Sequence, residues 1–265
     1  MKRNKRIGAI MNILTSNPNK LFSYNDFTEK FNAAKTSISE DVVIVKEILS
    51  EMGYGEVRTL SGASGGVKYI PKSTDEEETA VIDRITKILK EEERLLPGNF
   101  IYMADLLYNP EIITKVAKIF ADRYSEREID YVVTVETKGI PLAFETARYL
   151  NVPLVIIRRN MKISEGTTVT INYVSGSSGK IQTMSLSRRS MDENSKVLLI
   201  DDFMKAGGTA RGMMDMIKEF KSEVVGIGVL MCTEEPEKKL VDNYDALLTI
   251  EKIDSINGEL SIKSK

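Results

Sequence analysis

The stretch Ile200-Asp201-Asp202-Phe203-Met204-Lys205-Ala206-Gly207-Gly208-Thr209 gathers the residue types best suited to holding a charged small molecule. Two adjacent carboxylates at the end of an apolar run can accept hydrogen bonds from a vicinal diol, such as the 2′ and 3′ hydroxyls of a ribose. Lys205 to Thr209 form a short loop that runs into a helical pattern. There, backbone N–H groups and the helix dipole favour a phosphate. Gly207 and Gly208 permit close approach and positive φ, and Thr209 adds a hydroxyl donor. The competing reading is an ordinary strand-to-helix turn with an acidic end.

Three further groups precede it. Glu136-Thr137-Lys138-Gly139 follow the apolar run Tyr131–Val135 and open a helix at Ile140. Their backbone N–H groups can face a diphosphate, although such a sequence is also a common helix start. Arg158 and Arg159 end the run Leu154–Ile157, with Lys162 close behind, as either an anion contact or a solvated basic cluster. Tyr173 to Met184 reads as a hairpin with a Ser/Gly tip at Ser175–Gly179.

In this order and setting, the four groups resemble the type I phosphoribosyltransferases, whose signature is two hydrophobics, two acids and a loop ending in Gly-Gly-Thr. The resemblance spans most of residues 131–221. It implies a site for phosphoribosyl pyrophosphate (PRPP), which Mg²⁺ can accompany, built from Asp201 through Thr209 and from Glu136, Thr137, Lys138 and Gly139. Arg158, Arg159 and Lys162 would face pyrophosphate, and Tyr173 belongs to the hairpin that closes over the ligand in that family.

Other chemistry is excluded by composition. There is no histidine, which removes the commonest general base, the usual Ser/His and Cys/His triads and any His-bearing zinc site. A single cysteine, Cys232, cannot build an intrachain disulfide framework, so a cytoplasmic location is expected. No apolar run reaches the roughly 18–20 residues that span a bilayer.

The elements that must position these groups fall into two parts, 1–74 and 75–265. The first carries 11 Lys/Arg against 7 Asp/Glu and the second 26 against 32, a basic head on an acidic body. In the head, Ile7, Ile10, Met11 and Leu14 recur at helical spacing before Asn17-Pro18-Asn19. Ser23 can cap a second helix, with Phe22 and Phe27 as a hydrophobic staple. A third helix is expected from Ser37, with Glu40 completing a capping box and Ile38, Val42, Val45 and Leu49 on one stripe. Glu56–Leu60 and Val67–Ile70 form a hairpin around a Ser/Gly-rich turn. Three helices and a hairpin give the winged helix-turn-helix order.

After Pro71, Ser73 or Thr74 can cap a new helix, expected over Thr79–Glu93 and followed by another over Glu111–Arg123. Apolar strands then alternate with helices, as in a parallel α/β sheet whose ligands sit at the carboxyl ends of the strands. The chain after Met231 reads as a polar tail, with no aromatic slot for a purine.

A winged-helix head joined to this loop and to Arg158-Arg159-Asn160 resembles, over essentially the whole chain, the purine operon repressors of Gram-positive bacteria. That resemblance implies a homodimeric repressor that binds double-stranded operator DNA. PRPP would act as inducer without transferase turnover, and guanosine tetraphosphate as a possible competing ligand. The alternative is an active purine phosphoribosyltransferase with a winged-helix extension. Against it, Ala206 stands where such enzymes usually carry a hydroxyl residue for the 5′-phosphate, and Lys205 is also atypical. For DNA, the third helix offers Lys35, Thr36, Ser39, Val43 and Lys46 opposite its apolar stripe. Arg58 and Lys68 flank the wing, and Lys2, Arg3, Lys5 and Arg6 form a candidate phosphate-contacting arm.

Overall fold

The computed structural model describes all residues except 63–64, 92–93, 161–165, 176–178, 256, 258 and 265. The head runs α1 (Arg3–Ser16), α2 (Tyr24–Phe31), α3 (Lys35–Glu51), β1 (Gly55–Leu60) and β2 (Gly66–Pro71), the two strands pairing antiparallel. Ile10 and Leu14 of α1, Phe27 and Phe31 of α2, and Ile38, Val42, Val45 and Leu49 of α3 close its core, with Val57 and Val67 of the hairpin. Ser23 caps α2 as expected: its hydroxyl accepts from the Asp26 N–H at 3.2 Å and the Asp26 carboxylate accepts from the Ser23 N–H at 2.7 Å. The Phe22 and Phe27 rings lie 5.7 Å apart.

Helix α3 begins two residues earlier than the Ser37–Glu40 box predicts. Asn32, left-handed at φ 46°, ends α2 so tightly that the chain re-enters helix at Lys35, with Ala34 at the cap position and no side-chain cap bond. Ser37 therefore lies inside the first turn.

The body opens with α4 (Asp75–Leu89), four residues ahead of its expected start, because Thr74 and Glu77 form the capping box. Four acids then occupy its first turn, where the dipole favours them. After β3 (Leu95–Leu96), β4 (Phe100–Ile101) and α5 (Ala104–Leu107) come α6 (Pro110–Arg123), β5 (Tyr131–Val135), α7 (Ile140–Leu150) and β6 (Leu154–Ile157). The hairpin β7 (Thr168–Val174) and β8 (Ile181–Ser187) follows. The chain ends with β9 (Lys196–Met204), α8 (Gly208–Lys218), β10 (Glu223–Thr233), β11 (Asp245–Asp254) and β12 (Glu259–Ser264).

One six-stranded sheet has the order β12-β11-β10-β9-β5-β6, parallel throughout except for β12. Helices α4, α6 and α7 bury one face through residues such as Ile85, Phe120 and Leu142, and α8 with the β7–β8 hairpin buries the other through Met213, Met216 and Met184. The expected polar tail is a correction: β11 and β12 complete the sheet, and Ala246-Leu247-Leu248-Thr249-Ile250 are buried in it. No helix among the described residues is long and apolar enough to cross a membrane.

Head and body meet along a polar seam. Lys72 Nζ reaches Asp122 Oδ1 at 2.7 Å and Ser125 Oγ at 3.2 Å, and the Ser73 N–H donates to Asp122 at 2.9 Å. Arg58 donates to Glu126 at 2.5 Å, and Asn19 Nδ2 donates to the Tyr149 carbonyl at 2.8 Å. Tyr149 lies in the last turn of α7, whose first residue follows Gly139. Eleven helical residues thus join the Glu136–Gly139 loop to the head, a rigid span of about 16 Å.

Candidate functional site

Strand β9 projects Asp201 and Asp202 at its carboxyl end, and the chain turns through Lys205–Gly207 into α8, whose first residues are Gly208 and Thr209. Gly207 is left-handed at φ +80°, which favours glycine, and a Cβ there would also stand a tight 3.2 Å from the Leu240 nitrogen and the Val241 side chain. The Ala206 carbonyl accepts from the Leu240 N–H at 2.9 Å, and the Lys205 carbonyl accepts from the Thr233 hydroxyl at 3.3 Å. The loop's carbonyls are thereby tied to the β10–β11 connection. The first N–H groups of α8 have no intrahelical acceptor and remain for an anion.

A hollow of about 90 Å³ lies inside this loop, lined by Asp201, Lys205–Ala210 and Met213 among others. Beside it is a cleft of about 280 Å³ lined by Val135–Lys138, Arg159, Asp201–Phe203 and Thr209. The two share Asp201, Phe203 and Thr209. The hollow at the helix start therefore meets the larger cleft at Asp201, with Asp202 on the larger side.

The Glu136–Gly139 loop approaches that pair closely. Gly139 has an ordinary helical φ of −69°, so conformational freedom does not demand glycine there. Space does: a Cβ would stand 2.6 Å from Asp201 Oδ1 and 2.6 Å from Thr134 Oγ1. The peptide between Glu136 and Thr137 is cis. Asp201 is buried and accepts the Asp202 N–H at 2.9 Å, and among the described residues neither carboxylate forms a salt bridge. Burial first, and the Asp202 charge second, push the Asp201 carboxyl well above its usual range. Burial raises Asp202 as well, against the hydrogen bond with Asp201 and the nearby positive charge of Lys138. A desolvated, acceptor-rich pair of this kind is suited to diol hydroxyls or to a cation brought by a ligand. No group of three Asp, Glu or Cys side chains among the described residues is arranged to hold a metal by itself.

Arg158 and Arg159 converge on Glu136. Arg158 Nη1 donates to its carboxylate at 3.2 Å, the Arg159 N–H donates to it at 2.6 Å, and Arg159 Nε donates to its carbonyl at 3.2 Å. Arg158 also exchanges backbone hydrogen bonds with Ser185 of β8, at 2.8 and 2.9 Å. Lys138, Arg159 and Lys205 are exposed around the carboxylates.

The structure thus brings together Glu136, Thr137, Lys138, Gly139, Arg159, Asp201, Asp202, Phe203, Lys205, Ala206, Gly207, Gly208 and Thr209. Arg158, held on Glu136 and Ser185, and Tyr173 line neither hollow. Met204, though buried in the core, still lines the hollow inside the loop. Tyr173 is 7% exposed, packs on Gly212 of α8 and donates its hydroxyl to Gln182 at 2.6 Å, so it supports the site without entering it. Lys162 lies outside the described residues. Sequence reasoning missed Thr134, whose polar side chain inside Val132-Val133-Thr134-Val135 was the available signal, and Gln182, for which there was none.

On the head, Lys35, Thr36, Ser39, Val43 and Lys46 form an exposed face of α3 opposite its buried stripe. The arm expected at Lys2, Arg3, Lys5 and Arg6 is instead the start of α1. Arg6 is buried against Asp41 of α3, itself fully buried, and Arg3 reaches Asp41 at 3.3 Å and Glu40 at 3.5 Å. Helical phase decides this: Arg6 lies four residues before Ile10, on the packed face of α1. Lys2 and Lys5 remain exposed. Arg58 is paired with Glu56 and with Glu126 of the body, and its register partner Lys68 shares that side of the hairpin.

Parallel strands carrying a carboxylate pair and an anion loop, preceded by three helices and a hairpin, define a phosphoribosyltransferase-fold domain with a DNA-binding head. A family model described as the N-terminal part of the bacterial purine repressor matches residues 2–71, and a phosphoribosyl transferase domain model matches residues 103–265. The adenine phosphoribosyltransferase of Rhodothermus marinus superposes with a TM-score of 0.55 at 20% identity, covering 64% of this chain and 99% of that one, which shows the fold. The purine biosynthesis transcriptional repressor PurR of Bacillus subtilis is 48% identical over 99% of this chain and 92% of its own. The purine biosynthesis transcriptional activator PurR of Lactococcus lactis is 39% identical, over 99% of this chain and 97% of its own. The chain belongs to the family of bacterial purine repressors, a group of transcriptional regulators.

Proposed function

We propose that this protein is a homodimeric transcriptional repressor of purine biosynthesis genes, released from operator DNA by PRPP bound in the cleft above β9 and β5. The observation that carries this reading is the juxtaposition of two hollows, one at the start of α8 and one beside Lys138 and Arg159, that meet at the buried Asp201 with Asp202 next to it. PRPP has that layout: a 5′-phosphate for Lys205–Thr209, a ribose diol for Asp201 and Asp202, and a pyrophosphate for Glu136–Gly139 and Arg159. Mg²⁺, if it enters, comes with the diphosphate, since it retains water and phosphate ligands and needs few from protein. Guanosine tetraphosphate also presents diphosphate groups and is proposed as a competitor for the same cleft, to be read as displacement of labelled PRPP.

The domain serves as a sensor without transferase turnover. Ala206 supplies no hydroxyl to the 5′-phosphate, and Lys205 replaces it with charge, which keeps anion affinity while departing from the enzymes' pattern. Repression is favoured over activation by the greater identity to the Bacillus repressor than to the Lactococcus activator.

DNA engages the exposed face of α3, where Val43 offers an apolar contact and Lys35 and Lys46 offer charge, with Lys2 and Lys5 beside it. The ligand acts by neutralising Lys138, Arg159 and Lys205, and through α7, which joins the pyrophosphate loop to Asn19 of the head. A coupling of about 1–3 kcal/mol gives a 5- to 150-fold switch.

Fluorescence anisotropy with DNA from upstream of purine synthesis genes, against scrambled DNA at fixed salt, tests the reading. Binding should be specific and weakened by Mg-PRPP, and Asp202→Ala should bind DNA while losing the response. Absence of specific binding would redirect attention to phosphoribosyl transfer onto purine bases. Light scattering of the purified chain tests the dimer.

A further inference from the structure

Gln182, on the second strand of the hairpin, is not a cleft residue, yet it touches the two structures that frame the cleft. Its side-chain oxygen accepts two hydrogen bonds, from the Tyr173 hydroxyl at 2.6 Å and from Arg159 Nη1 at 3.0 Å. Tyr173 is buried against Gly212 of α8, where even a methyl group would collide with its ring at 2.9 Å, so its position is fixed by the helix that follows the phosphate loop. Arg159 is exposed and lines the larger cleft; among the described residues its side chain otherwise donates only to the Glu136 carbonyl, while its backbone N–H is held by the Glu136 carboxylate. A long, exposed arginine left to itself samples many rotamers, and ordering it on ligand binding costs free energy. Two fixed acceptors, the Glu136 carbonyl and Gln182 Oε1, leave the guanidinium in one orientation at the rim of the cleft.

We propose that Gln182 is a positioning residue: it holds Arg159 ready for the diphosphate end of the ligand, and so sets the preference for a diphosphate over a simple sugar phosphate. Because Gln182 is neutral, it fixes the arginine without cancelling its charge. A glutamate would keep both hydrogen bonds and neutralise the charge that the diphosphate needs. The inference rests on the proposed PRPP site. It also accounts for Tyr173, which contributes by fixing Gln182 and makes no contact of its own with the ligand.

The test is isothermal titration of the full chain with Mg-PRPP and, separately, with ribose 5-phosphate, which lacks the diphosphate. Gln182→Leu should weaken Mg-PRPP about 10-fold and leave ribose 5-phosphate unchanged, as expected for one misplaced charge-assisted hydrogen bond to phosphate. Gln182→Glu, which preserves the packing and both hydrogen bonds, should lose the same preference and serves where the leucine variant folds poorly. A general loosening of the hairpin would weaken both ligands alike, and that result overturns the proposal. Unchanged Mg-PRPP affinity in both variants also overturns it while leaving the PRPP site intact. Failure of the unaltered protein to bind Mg-PRPP removes the site and the inference with it.

Discussion

Replacing Gly139 with alanine tests the site at its tightest point. The backbone there tolerates any residue, since φ is −69°, so the effect is purely one of space. The new Cβ would meet Asp201 Oδ1 and Thr134 Oγ1 at 2.6 Å each, about 0.8 Å inside ordinary contact, and the Asp201 Cα at 3.3 Å. Thr134 and Asp201 are both buried, so neither oxygen can swing into solvent. Overpacking of this kind costs about 1–3 kcal/mol. If the strain is relieved by displacing the carboxylate, the same energy is lost from diol recognition, a 5- to 150-fold weakening at about 1.4 kcal/mol per decade. Titration with Mg-PRPP reads that loss, anisotropy on operator DNA should remain within about threefold, and Tm should fall by about 2–4 °C per kcal/mol. Unchanged PRPP affinity at unchanged Tm would refute the reasoning, because the loop would then not press on the carboxylate pair.

Other consequences follow from the same geometry. Burial raises Asp201 and Asp202, so the free protein retains a proton over a range where a diol-bound pair is ionised. PRPP affinity should therefore rise with pH through that titration, with proton release visible as a buffer-dependent heat; a pH-independent affinity contradicts this. For stability the sign is opposite: above the ordinary carboxyl range the folded chain holds more protons than the unfolded one, so stability falls as pH rises towards the raised values. Asp201→Asn should be more stable than the native protein at pH 7, and equal stability would argue against a buried charge cost. Arg6→Ala leaves fully buried Asp41 with only the half-exposed Arg3, and should destabilise the head by about 3–5 kcal/mol in urea unfolding. Lys35→Ala with Lys46→Ala should instead leave stability unchanged and flatten the salt dependence of DNA binding by about two counterions per head engaged, and an unchanged slope removes them from the interface. Asn19→Ala with Lys72→Ala removes the α7 contact and the lysine bridge from the seam between the domains, and should retain PRPP affinity and DNA affinity while shrinking the effect of one on the other; intact coupling would exclude α7 as the route.

The sequence by itself determined the parts whose physics is local. Two carboxylates at the end of an apolar strand, a glycine loop and a helix start are contiguous from Ile200 to Thr209, so one strand-loop-helix unit was readable without any distant contact. The same holds for the Ser23 cap and the α3 stripe, which depend on spacing within a few residues. Tertiary structure decided what depends on partners far along the chain. Arg6 reads as a free basic residue until α3 brings Asp41 against it, and the ion pair of Arg58 with the body exists only because the turn after α6 delivers Glu126. The stretch after Met231 looks polar in composition because its longest buried run is the short Ala246–Ile250, and that burial exists only once β10 offers an edge to pair with. Gln182 had no signal in sequence at all, since its importance lies in one oxygen shared between Tyr173 and Arg159, nine and twenty-three residues away.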